Sequence, residues 1–411
     1  MFLTAKEEAI LDGEYGESRQ LAMSILVKLG DIYDADRMIK VENAHIDAAS
    51  YGAIYDAGLD LCEKFSHSGV TFEIPTTLNV SAIDFEKWQE FRVPKCFAEK
   101  QIRLARAYNK MGAITTWTCA PYQYGANLRF NQNIAWGESN AVGFANSVIG
   151  ARTNKFGDLV DVCAAIIGEA PRFGLYLDEN RRGQVLFKLD KFNRKSFSTQ
   201  DYAVMGFLIG SIAKIKIPVV KGIPRNITID QLKTFGAAAA TSGSGALYHI
   251  CGVTPEARTL NEAFSGMKPE EEICIGTNEF KEAREKLSTT GGGRADVIVL
   301  GCPHYSVEQL RKVSCLIRGK KVKKDTELWI FTSKMAKTLA CEMGIINVIE
   351  TAGGKVTTGT CMLNFPIKQW GFNILMTDSA KMAYFSPGLT CNDTIFKNTE
   401  ECIKFATDAS C

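Results

Sequence analysis

The last third of the chain alternates short apolar runs with longer segments whose apolar residues recur at helical spacing. Residues 297–300 are four consecutive apolar positions, three of them β-branched, which is typical of a strand buried on both faces of a parallel sheet. This alternation predicts a mostly parallel sheet layered with helices. The predicted strands are 272–276, 296–300, 327–331, 346–350 and 372–376, and the predicted helices are 278–287, 306–318, 332–343 and 379–385.

The pattern over the first two thirds is more helical. The first 65 residues have helical spacing, and Thr4 with Glu7 can form a capping box for the first helix. Further predicted strands are 70–79, 113–118, 184–190 and 218–220, and further predicted helices are 96–112, 134–150, 158–168 and 198–215. The chain is therefore predicted to be an α/β protein with a helical segment over 1–68 and α/β subdomains over 69–205, 206–290 and 291–411.

Composition excludes several classes of protein. A chain of 411 residues can hold two or three domains with substantial cores. Its net charge of +2 argues against a nucleic-acid surface as its main function. No apolar run approaches the roughly 20 residues of a membrane span. The residues from Met1 to Glu8 lack the basic-then-apolar order of a signal peptide, so a cytoplasmic protein is expected.

Three of the 13 cysteines follow a strand or a glycine turn: Cys119, Cys302 and Cys361. The cysteines are irregularly spaced and form no CxxC pair, which indicates neither a disulfide framework nor a zinc finger. Three thiolates suit an iron–sulfur cluster that keeps one iron open to substrate. Unrelated buried thiols are the alternative, and spacing alone favours it. A mononuclear metal site using Cys119, Cys302 and His304 is a further variant.

Three polar residues stand out as candidate ligands for substrate. His304, two residues after Cys302, can ligate metal, bind a carboxylate or donate a proton, or it can simply tie down its turn. Arg152 lies among small uncharged residues, which favours recognition of a carboxylate or phosphate over a surface position. Lys381 lies near a predicted helix N-terminus that Ser379 can cap, where anions bind, although a solvated helix lysine explains it equally well.

Several longer segments resemble the aconitase X family. The resemblance extends from near residue 1 to about residue 392, and it also includes residues 29–33 and 75–79. The segments that carry it are Ile-Ala-Trp-Gly-Glu-Ser-Asn-Ala (134–141), Phe-Ala-Asn-Ser-Val-Ile-Gly-Ala-Arg-Thr-Asn (144–154), Gly-Cys-Pro-His (301–304) and Ser-Ala-Lys-Met-Ala-Tyr (379–384).

This resemblance implies an iron-dependent hydro-lyase built on an aconitase-like catalytic core of several α/β subdomains. It implies an iron–sulfur cluster, or iron, held by Cys119, Cys302 and Cys361. The last of these motifs departs from the family, because Met362 follows Cys361 where proline is more usual. The chain is too short after residue 392 to carry the swivelling domain of aconitases, so a separate small subunit is expected as partner.

Roles for individual residues follow from the same resemblance. Arg152 and Lys381 would hold the carboxylate or another anionic group of the substrate. Ser147 and Asn146 would orient the substrate, and Asn154 would bind it. The expected catalytic residues are His304, Lys381 and Ser147. His304 would help protonate the departing hydroxide or shape the loop around the cluster. The base that removes the proton α to the carboxylate is expected on the small subunit.

Two substrates fit the family, cis-3-hydroxy-L-proline and (R)-5-phosphomevalonate. The sequence Phe156-Gly157-Asp158 looks closer to the hydroxyproline branch. An acidic residue there could pair with a protonated ring nitrogen, whereas it would repel a phosphate. A separate small subunit is more typical of the phosphomevalonate branch. A third hypothesis, from another class, is a non-catalytic binding or regulatory module that has lost the cluster, but all three motif cysteines are present.

Overall fold

The structure is a computed structural model that describes residues 1–123, 127–189, 197–243, 245–291, 293–365 and 370–407. Contacts within the chain divide it after Arg182, into unit 1 (Met1–Arg182) and unit 2 (Gly183–Cys411). The four segments expected from the sequence stay a prediction. Among the described residues, no helix combines the length and the apolar character needed to cross a membrane.

Unit 1 is built on a small parallel sheet. Its strands pair in the order β3-β2-β4, and β1 pairs antiparallel with β5. Buried Leu, Ile, Met and Phe side chains of the surrounding helices form one core with these strands. In chain order the elements are α1 (Ala5–Leu11), α2 (Glu17–Ile32), β1 (Met38–Lys40), β2 (Ala44–Ile46), α3 (Tyr51–His67), β3 (Thr76–Leu78), α4 (Lys95–Lys110), β4 (Ala135–Trp136), α5 (Ser139–Phe144), α6 (Val160–Ile167) and β5 (Glu169–Pro171).

Unit 2 contains two parallel sheets. A four-stranded sheet has the order β8-β7-β6-β9, and a five-stranded sheet has the order β12-β11-β10-β13-β14. In chain order the elements are β6 (Val185–Lys188), α7 (Thr199–Ala213), β7 (Pro218–Lys221), α8 (Ile229–Gly243), β8 (His249–Ile250), α9 (Leu260–Ala263), β9 (Glu271–Cys274), α10 (Thr277–Glu285), β10 (Val297–Tyr305), α11 (Val307–Ile317), β11 (Glu327–Thr332), α12 (Lys334–Glu342), α13 (Ile345–Thr351), β12 (Lys355–Thr358), β13 (Ile374–Thr377), α14 (Ala380–Leu389), β14 (Asp393–Phe396) and α15 (Thr399–Ala406).

Two helices of unit 2 approach each other closely because glycine lies at their contact. A Cβ atom at Gly206 of α7 would stand 2.2 Å from the carbonyl oxygen of Phe235 in α8. A Cβ atom at Gly243 of α8 would likewise stand 2.2 Å from the carbonyl oxygen of Gly210. Side chains at these positions would therefore force the helices apart. This packing fixes the start of α7 and the first half of α8, which both line the cavity described below.

The predicted α/β class with mostly parallel sheets is confirmed, but some elements differ. Residues 346–350, predicted as a strand, lie in helix α13, because the buried residues Ile345, Ile346 and Ile349 follow helical spacing and Asn347 does not face the core. A short apolar run fits either element. Residues 113–118 form only an isolated bridge from Ile114 to Thr77.

Further differences concern the ends of elements. The helix predicted over 134–150 begins with β4 and ends in a π-helical turn over Ala145–Ile149. The N-terminal 65 residues contain β1 and β2 besides helices. Strand β10 does not stop at Leu300. It continues to Tyr305 through an irregularity in its pairing with β11. The irregular stretch consists of residues 301–304, which include Cys302.

Candidate functional site

The turn that carries Cys302 interrupts the pairing of two strands in unit 2. Leu300 pairs with Ile330 and Tyr305 pairs with Thr332, so residues 301–304 bulge out of the ladder. Gly301 has φ +95°, and a Cβ atom there would stand 2.1 Å from the carbonyl oxygen of Phe331. Only glycine allows this close approach of the two backbones. Cys302 follows it and is half-buried.

His304 joins the Cys302 turn to the loop that carries Cys361. The imidazole is 1% exposed, and its Nε2 lies 2.8 Å from the carbonyl oxygen of Thr360, the residue before Cys361. A carbonyl oxygen only accepts, so Nε2 donates the hydrogen bond. Cys361 is also half-buried. The geometry thus favours the loop-shaping role of His304 over proton donation, and its catalytic role stays a prediction.

A cavity of about 180 Å³ opens beside Cys302 in unit 2. It is bordered by the first residues of three helices, α7, α14 and α15, by the lysines Lys233, Lys312 and Lys381, and by the carboxyl groups of Asp378 and Glu400. Lys233 pairs with Asp230 at 3.0 Å and Lys312 pairs with Glu400 at 2.8 Å. Helix N-termini carry partial positive charge, so the start of α14, where Lys381 lies, is the part of the wall that favours an anionic group. Lys381 lies in the first turn of α14, and the Ser379 hydroxyl caps that helix by accepting from the N–H of Met382 at 3.1 Å, as the sequence predicted.

A buried carboxyl group braces the same wall. Asp378 accepts hydrogen bonds from the hydroxyl groups of Tyr305 and, at 2.7 Å, of Thr399. Burial raises the pKa of Asp378, and the two hydroxyl donors and the Lys312 ammonium act in the opposite direction. Tyr305 ends β10 and Thr399 starts α15. Because Asp378 directly precedes Ser379, the N-cap of α14, its carboxyl group links β10 and α15 to the start of α14.

In unit 1, polar residues collect at the carboxyl ends of β2, β3 and β4, a region called edge 1 below. Asp47, Asn79 and Glu138 follow these strands, and Asp161 reaches them from α6. The Asn79 amide donates to Asp47 Oδ1 at 2.5 Å, and the Asp161 carboxylate accepts from the Asp47 N–H at 2.5 Å. Burial raises the pKa of Asp161 well above its usual range. Edge 1 is thus acidic and closely hydrogen-bonded.

Cys119 lies in unit 1 on a loop that Asn140 holds. The Asn140 amide donates to the carbonyl oxygen of Cys119 at 2.8 Å and exchanges hydrogen bonds with the Tyr122 hydroxyl. The preceding residue, Thr118, is buried near His45, whose pKa is lowered to about 4, chiefly by burial. Cys119 itself is half-buried.

The other residues predicted for substrate binding in unit 1 are engaged with their own neighbours. The Asn146 side chain is fully buried, donates to the carbonyl of Thr153 and accepts from the Thr153 N–H. The Asn154 side chain contacts the main chain of residues 173 and 175. The Arg152 guanidinium donates to the carbonyl of Tyr176 and pairs with Asp178. These contacts favour positioning roles, and direct contact with substrate stays a prediction.

Ser147 occupies a different setting, the π-helical turn after α5. The turn spans Ala145–Ile149, and Ser147 is 2% exposed. Such π-helical turns occur often at functional sites. The buried guanidinium of Arg181 holds the turn, donating to the carbonyls of Asn146 and Ala151 at 3.1 Å. The assigned role of Ser147 in catalysis stays a prediction.

The three candidate metal ligands fit iron in their chemistry but are distributed over the chain. Cys119 belongs to unit 1, and Cys302 and Cys361 belong to unit 2. All three are half-buried thiols outside disulfide bonds. Within the described residues, no group of three or more His, Cys, Asp or Glu side chains is arranged to hold a metal ion. What unit 2 does show is that Cys302 and Cys361 lie on adjoining loops joined by His304.

Sequence reasoning missed several residues of the site. Lys233 contacts the Cys302 turn, Asp230 and Gln309 contact the Lys233 ammonium, and Asp378 with Thr399 braces the cavity wall. The sequence patterns that could have indicated these residues are weak. Lys233 lies on the same face of α8 as the buried residues Gly236, Ala237 and Ala240, and Asp378 lies two residues after the predicted strand 372–376, just before Ser379. A charged residue in an apolar helix face is the pattern that could have identified Lys233.

Comparisons with known proteins agree with this geometry. Models of the first, second and third domains of aconitase X match residues 1–179, 183–285 and 295–408. The chain is 41% identical over 407 residues to the phosphomevalonate dehydratase large subunit of Methanocaldococcus jannaschii, covering 98% of this chain and 100% of that protein. It is 38% identical over 407 residues to the cis-3-hydroxy-L-proline dehydratase of Pseudomonas aeruginosa, covering 98% of this chain and 70% of that protein.

A solved structure matches the whole fold. The holo-form of Thermococcus kodakaraensis aconitase X superposes with a TM-score of 0.89 and 37% identity, covering 99% of this chain and 100% of that chain. The family predicted from the motifs around residues 134–154, 301–304 and 379–384 is thereby confirmed. The chain belongs to the aconitase X family, and the relatives named above from Methanocaldococcus jannaschii and Pseudomonas aeruginosa are dehydratases, that is, hydro-lyases.

Proposed function

We propose that this chain is the large subunit of an iron-dependent dehydratase that eliminates water from a small β-hydroxy acid. The observation that carries the proposal is the cavity in unit 2, where the half-buried Cys302 lies beside the N-terminus of α14 and Lys381. A thiol and an anion-binding helix end on one cavity are what a metal-assisted elimination from a carboxylic acid requires.

Cys119, Cys302 and Cys361 are the proposed ligands of the iron or iron–sulfur cluster. Their support is the family resemblance, their state as half-buried thiols and, for Cys302 and Cys361, the hydrogen bond that joins their loops. When bound, the iron supplies a Lewis acid that polarises the hydroxyl group of the substrate.

The chain's own residues bind and orient the acid. The Lys381 ammonium and the main-chain N–H groups at the start of α14 attract the carboxylate of the substrate. Asp378, held by Tyr305 and Thr399, keeps this helix start in place. Arg152, Asn146, Asn154 and Ser147 are proposed to shape the substrate region of unit 1. The base that removes the α-proton is proposed to come from a small subunit, the counterpart implied by the name of the Methanocaldococcus relative.

The proposed substrate is cis-3-hydroxy-L-proline. Asp158 of the Phe156-Gly157-Asp158 sequence is exposed just before α6, whereas nearby Asp161 is fully buried and accepts two main-chain hydrogen bonds. Asp158 therefore has the freedom to face a ligand, and its carboxylate would pair with a protonated ring nitrogen. (R)-5-phosphomevalonate is the second candidate, because the Methanocaldococcus phosphomevalonate dehydratase large subunit is 41% identical to this chain and the Pseudomonas cis-3-hydroxy-L-proline dehydratase is 38% identical.

The test is anaerobic co-expression with the small subunit, followed by dehydration assays on both substrates with wild-type protein and the D158N variant. We expect activity on cis-3-hydroxy-L-proline, with kcat/KM reduced roughly 10- to 100-fold in D158N because a charge-assisted contact is lost. Activity on phosphomevalonate that D158N leaves unchanged would assign the second substrate. Activity on neither, with iron bound, would contradict the proposed function.

A further inference from the structure

We propose that Lys233 is a positioning residue that fixes the Cys302 turn and, through His304, the Cys361 loop, in the arrangement that binds iron. The inference rests on the proposed function, since it takes both cysteines as iron ligands. It adds a residue outside the motifs that carry the family resemblance, on helix α8, which is far from the cysteines in sequence.

The Lys233 ammonium is placed to hold the main chain of the turn. Its side chain is 0% exposed, and its Nζ donates to the carbonyl oxygen of His304 at 3.0 Å and to Gln309 Oε1 at 2.5 Å. The Asp230 carboxylate, one turn earlier on α8, pairs with the same ammonium at 3.0 Å. Three acceptors match the three N–H groups of a lysine.

The partners of Lys233 are themselves connected, so the contact is rigid. Asp230 also accepts from the Ser306 hydroxyl at 2.7 Å. Ser306 and Gln309 form the capping box at the start of α11, directly after β10. The ammonium therefore joins α8, the end of β10 and the start of α11, and a satisfied buried network of this kind fixes one geometry.

The hydrogen bond to His304 falls where the sheet gives the turn no regular support. Residues 301–304 lie outside the β10–β11 ladder. The His304 carbonyl is held by Lys233, and the His304 ring holds the carbonyl of Thr360, next to Cys361. His304 thus links Lys233 to both the Cys302 turn and the Cys361 loop.

Stability alone gives a weak reason for a lysine at this position. A buried ion pair is often replaced by apolar residues of similar volume with no loss of stability. An apolar side chain could not, however, donate to the His304 carbonyl. Hydrogen-bond partners of metal ligands change metal affinity by roughly 10- to 100-fold when they are removed, and Lys233 acts one contact further out, through the main chain of His304. Lys233 therefore fits a role in setting the metal site better than a role in the core.

The test compares K233M with the double variant D230N/K233M in the full chain co-purified with its small subunit. K233M removes the donor but leaves a carboxylate without its ammonium, whereas the double variant also removes that charge. The matched control is K337M on α12, because Lys337 Nζ also donates to a main-chain carbonyl, that of Val356 at 3.3 Å. Iron per chain, the visible spectrum, the rate of iron loss to a chelator and the Tm of metal-free protein are measured.

We expect both Lys233 variants to lose iron at least 10-fold faster than wild type, with an altered visible spectrum, while K337M behaves as wild type. The Tm of the metal-free double variant should stay within a few degrees of wild type. In metal-free protein, alkylation followed by peptide mapping should show faster modification of Cys302 and Cys361, with exposed Cys315 on α11 unchanged.

Wild-type iron retention in the double variant would overturn the positioning role. Failure of both variants to fold would also overturn it, because Lys233 would then serve general stability. The C302S variant separates the two proposals. If C302S keeps its iron, the ligand assignment of the proposed function is wrong. If C302S loses iron while the Lys233 variants keep it, only the role of Lys233 is wrong.

Discussion

In each unit a side chain donates to a main-chain carbonyl at or near a candidate cysteine, Asn140 to Cys119 and Lys233 to His304, but the polar groups around these two contacts differ. At edge 1, the carboxylates of Asp161 and Glu138 accept from main-chain N–H groups. In unit 2, at the carboxyl ends of β10, β13 and β14, here called edge 2, lysines and hydroxyl groups are the donors. The difference shows that a chain of net charge +2 holds an acidic edge and a second edge where lysines stand beside carboxyl groups.

A glycine allows close packing at each edge, and its replacement should give the largest effects. G301A places a Cβ atom 2.1 Å from the Phe331 carbonyl oxygen at a positive φ, where neither backbone can yield. We expect G301A to lose at least about 3 kcal/mol of unfolding free energy, or to be insoluble. Denaturant unfolding with hydrogen exchange over β10 and β11 measures this loss.

The matched change at edge 1 is G137A. A Cβ atom there would stand 2.7 Å from the Cβ of Asp47, 2.8 Å from Asp161 Oδ2 and 3.1 Å from the carbonyl oxygen of Phe156, and each of these contacts is less close than the 2.1 Å contact at Gly301. The expected loss is about 1–2 kcal/mol. Equal losses for the two variants would contradict the claim that edge 2 is fixed by backbone against backbone.

The strength of the sequence signal differed between the two units for a physical reason. Strands of the five-stranded sheet are buried on both faces, so β10 and β11 appeared as continuous apolar runs. Edge 1 is built from strands of two or three residues, too short for periodicity to reveal. Residues 113–118 show the failure, since they form a loop in which Ile114 makes one isolated bridge to Thr77 and is 52% exposed.

Some residues of the candidate site can be predicted from local sequence motifs, and others cannot. Cys302, Cys361 and Lys381 could be proposed as site residues from the sequence because they lie in motifs with adjacent signals, such as Gly301 and Ser379. Lys233 and Asn140 act on main-chain carbonyls of residues 71 and 21 positions away. Such contacts depend on tertiary structure, and no local pattern encodes them.

Buried His45, on β2 beside edge 1, should make the free energy of unfolding depend on pH. Burial is the main cause that lowers the pKa of this histidine to about 4, with Glu138 acting in the opposite direction, whereas an unfolded histidine has a pKa near 6.5. Between these values the unfolded state binds a proton that the folded state does not. The contribution of His45 to the free energy of unfolding is therefore fully present above about pH 6.5. It falls as the pH drops towards 4, by an amount on the order of 2–3 kcal/mol.

Unfolding free energies from pH 4 to pH 8 for wild type, H45Q and H67Q measure this effect. H45Q should lack the step between pH 6.5 and 4. His67 is exposed at the end of α3, so H67Q should retain it. If wild type and H45Q follow the same pH profile, His45 does not carry the dependence.

The smallest effects should separate the two buried carboxyl groups, Asp161 at edge 1 and Asp378 at edge 2. Asp161 uses both oxygens, Oδ2 for the Asp47 N–H and Oδ1 for the Val162 N–H. An amide has one oxygen, so D161N leaves one N–H opposite an NH₂ group and should cost about 2 kcal/mol.

Asp378 receives both hydroxyl donors on Oδ2, and the single oxygen of Asn can accept both. D378N should therefore cost less than about 1 kcal/mol, as measured by denaturant unfolding at neutral pH. Because two fixed N–H groups need two oxygens, whereas the two hydroxyl groups on Asp378 share one, a larger loss in D378N than in D161N would mean that edge 2 depends on the charge at Asp378 and not on the geometry described.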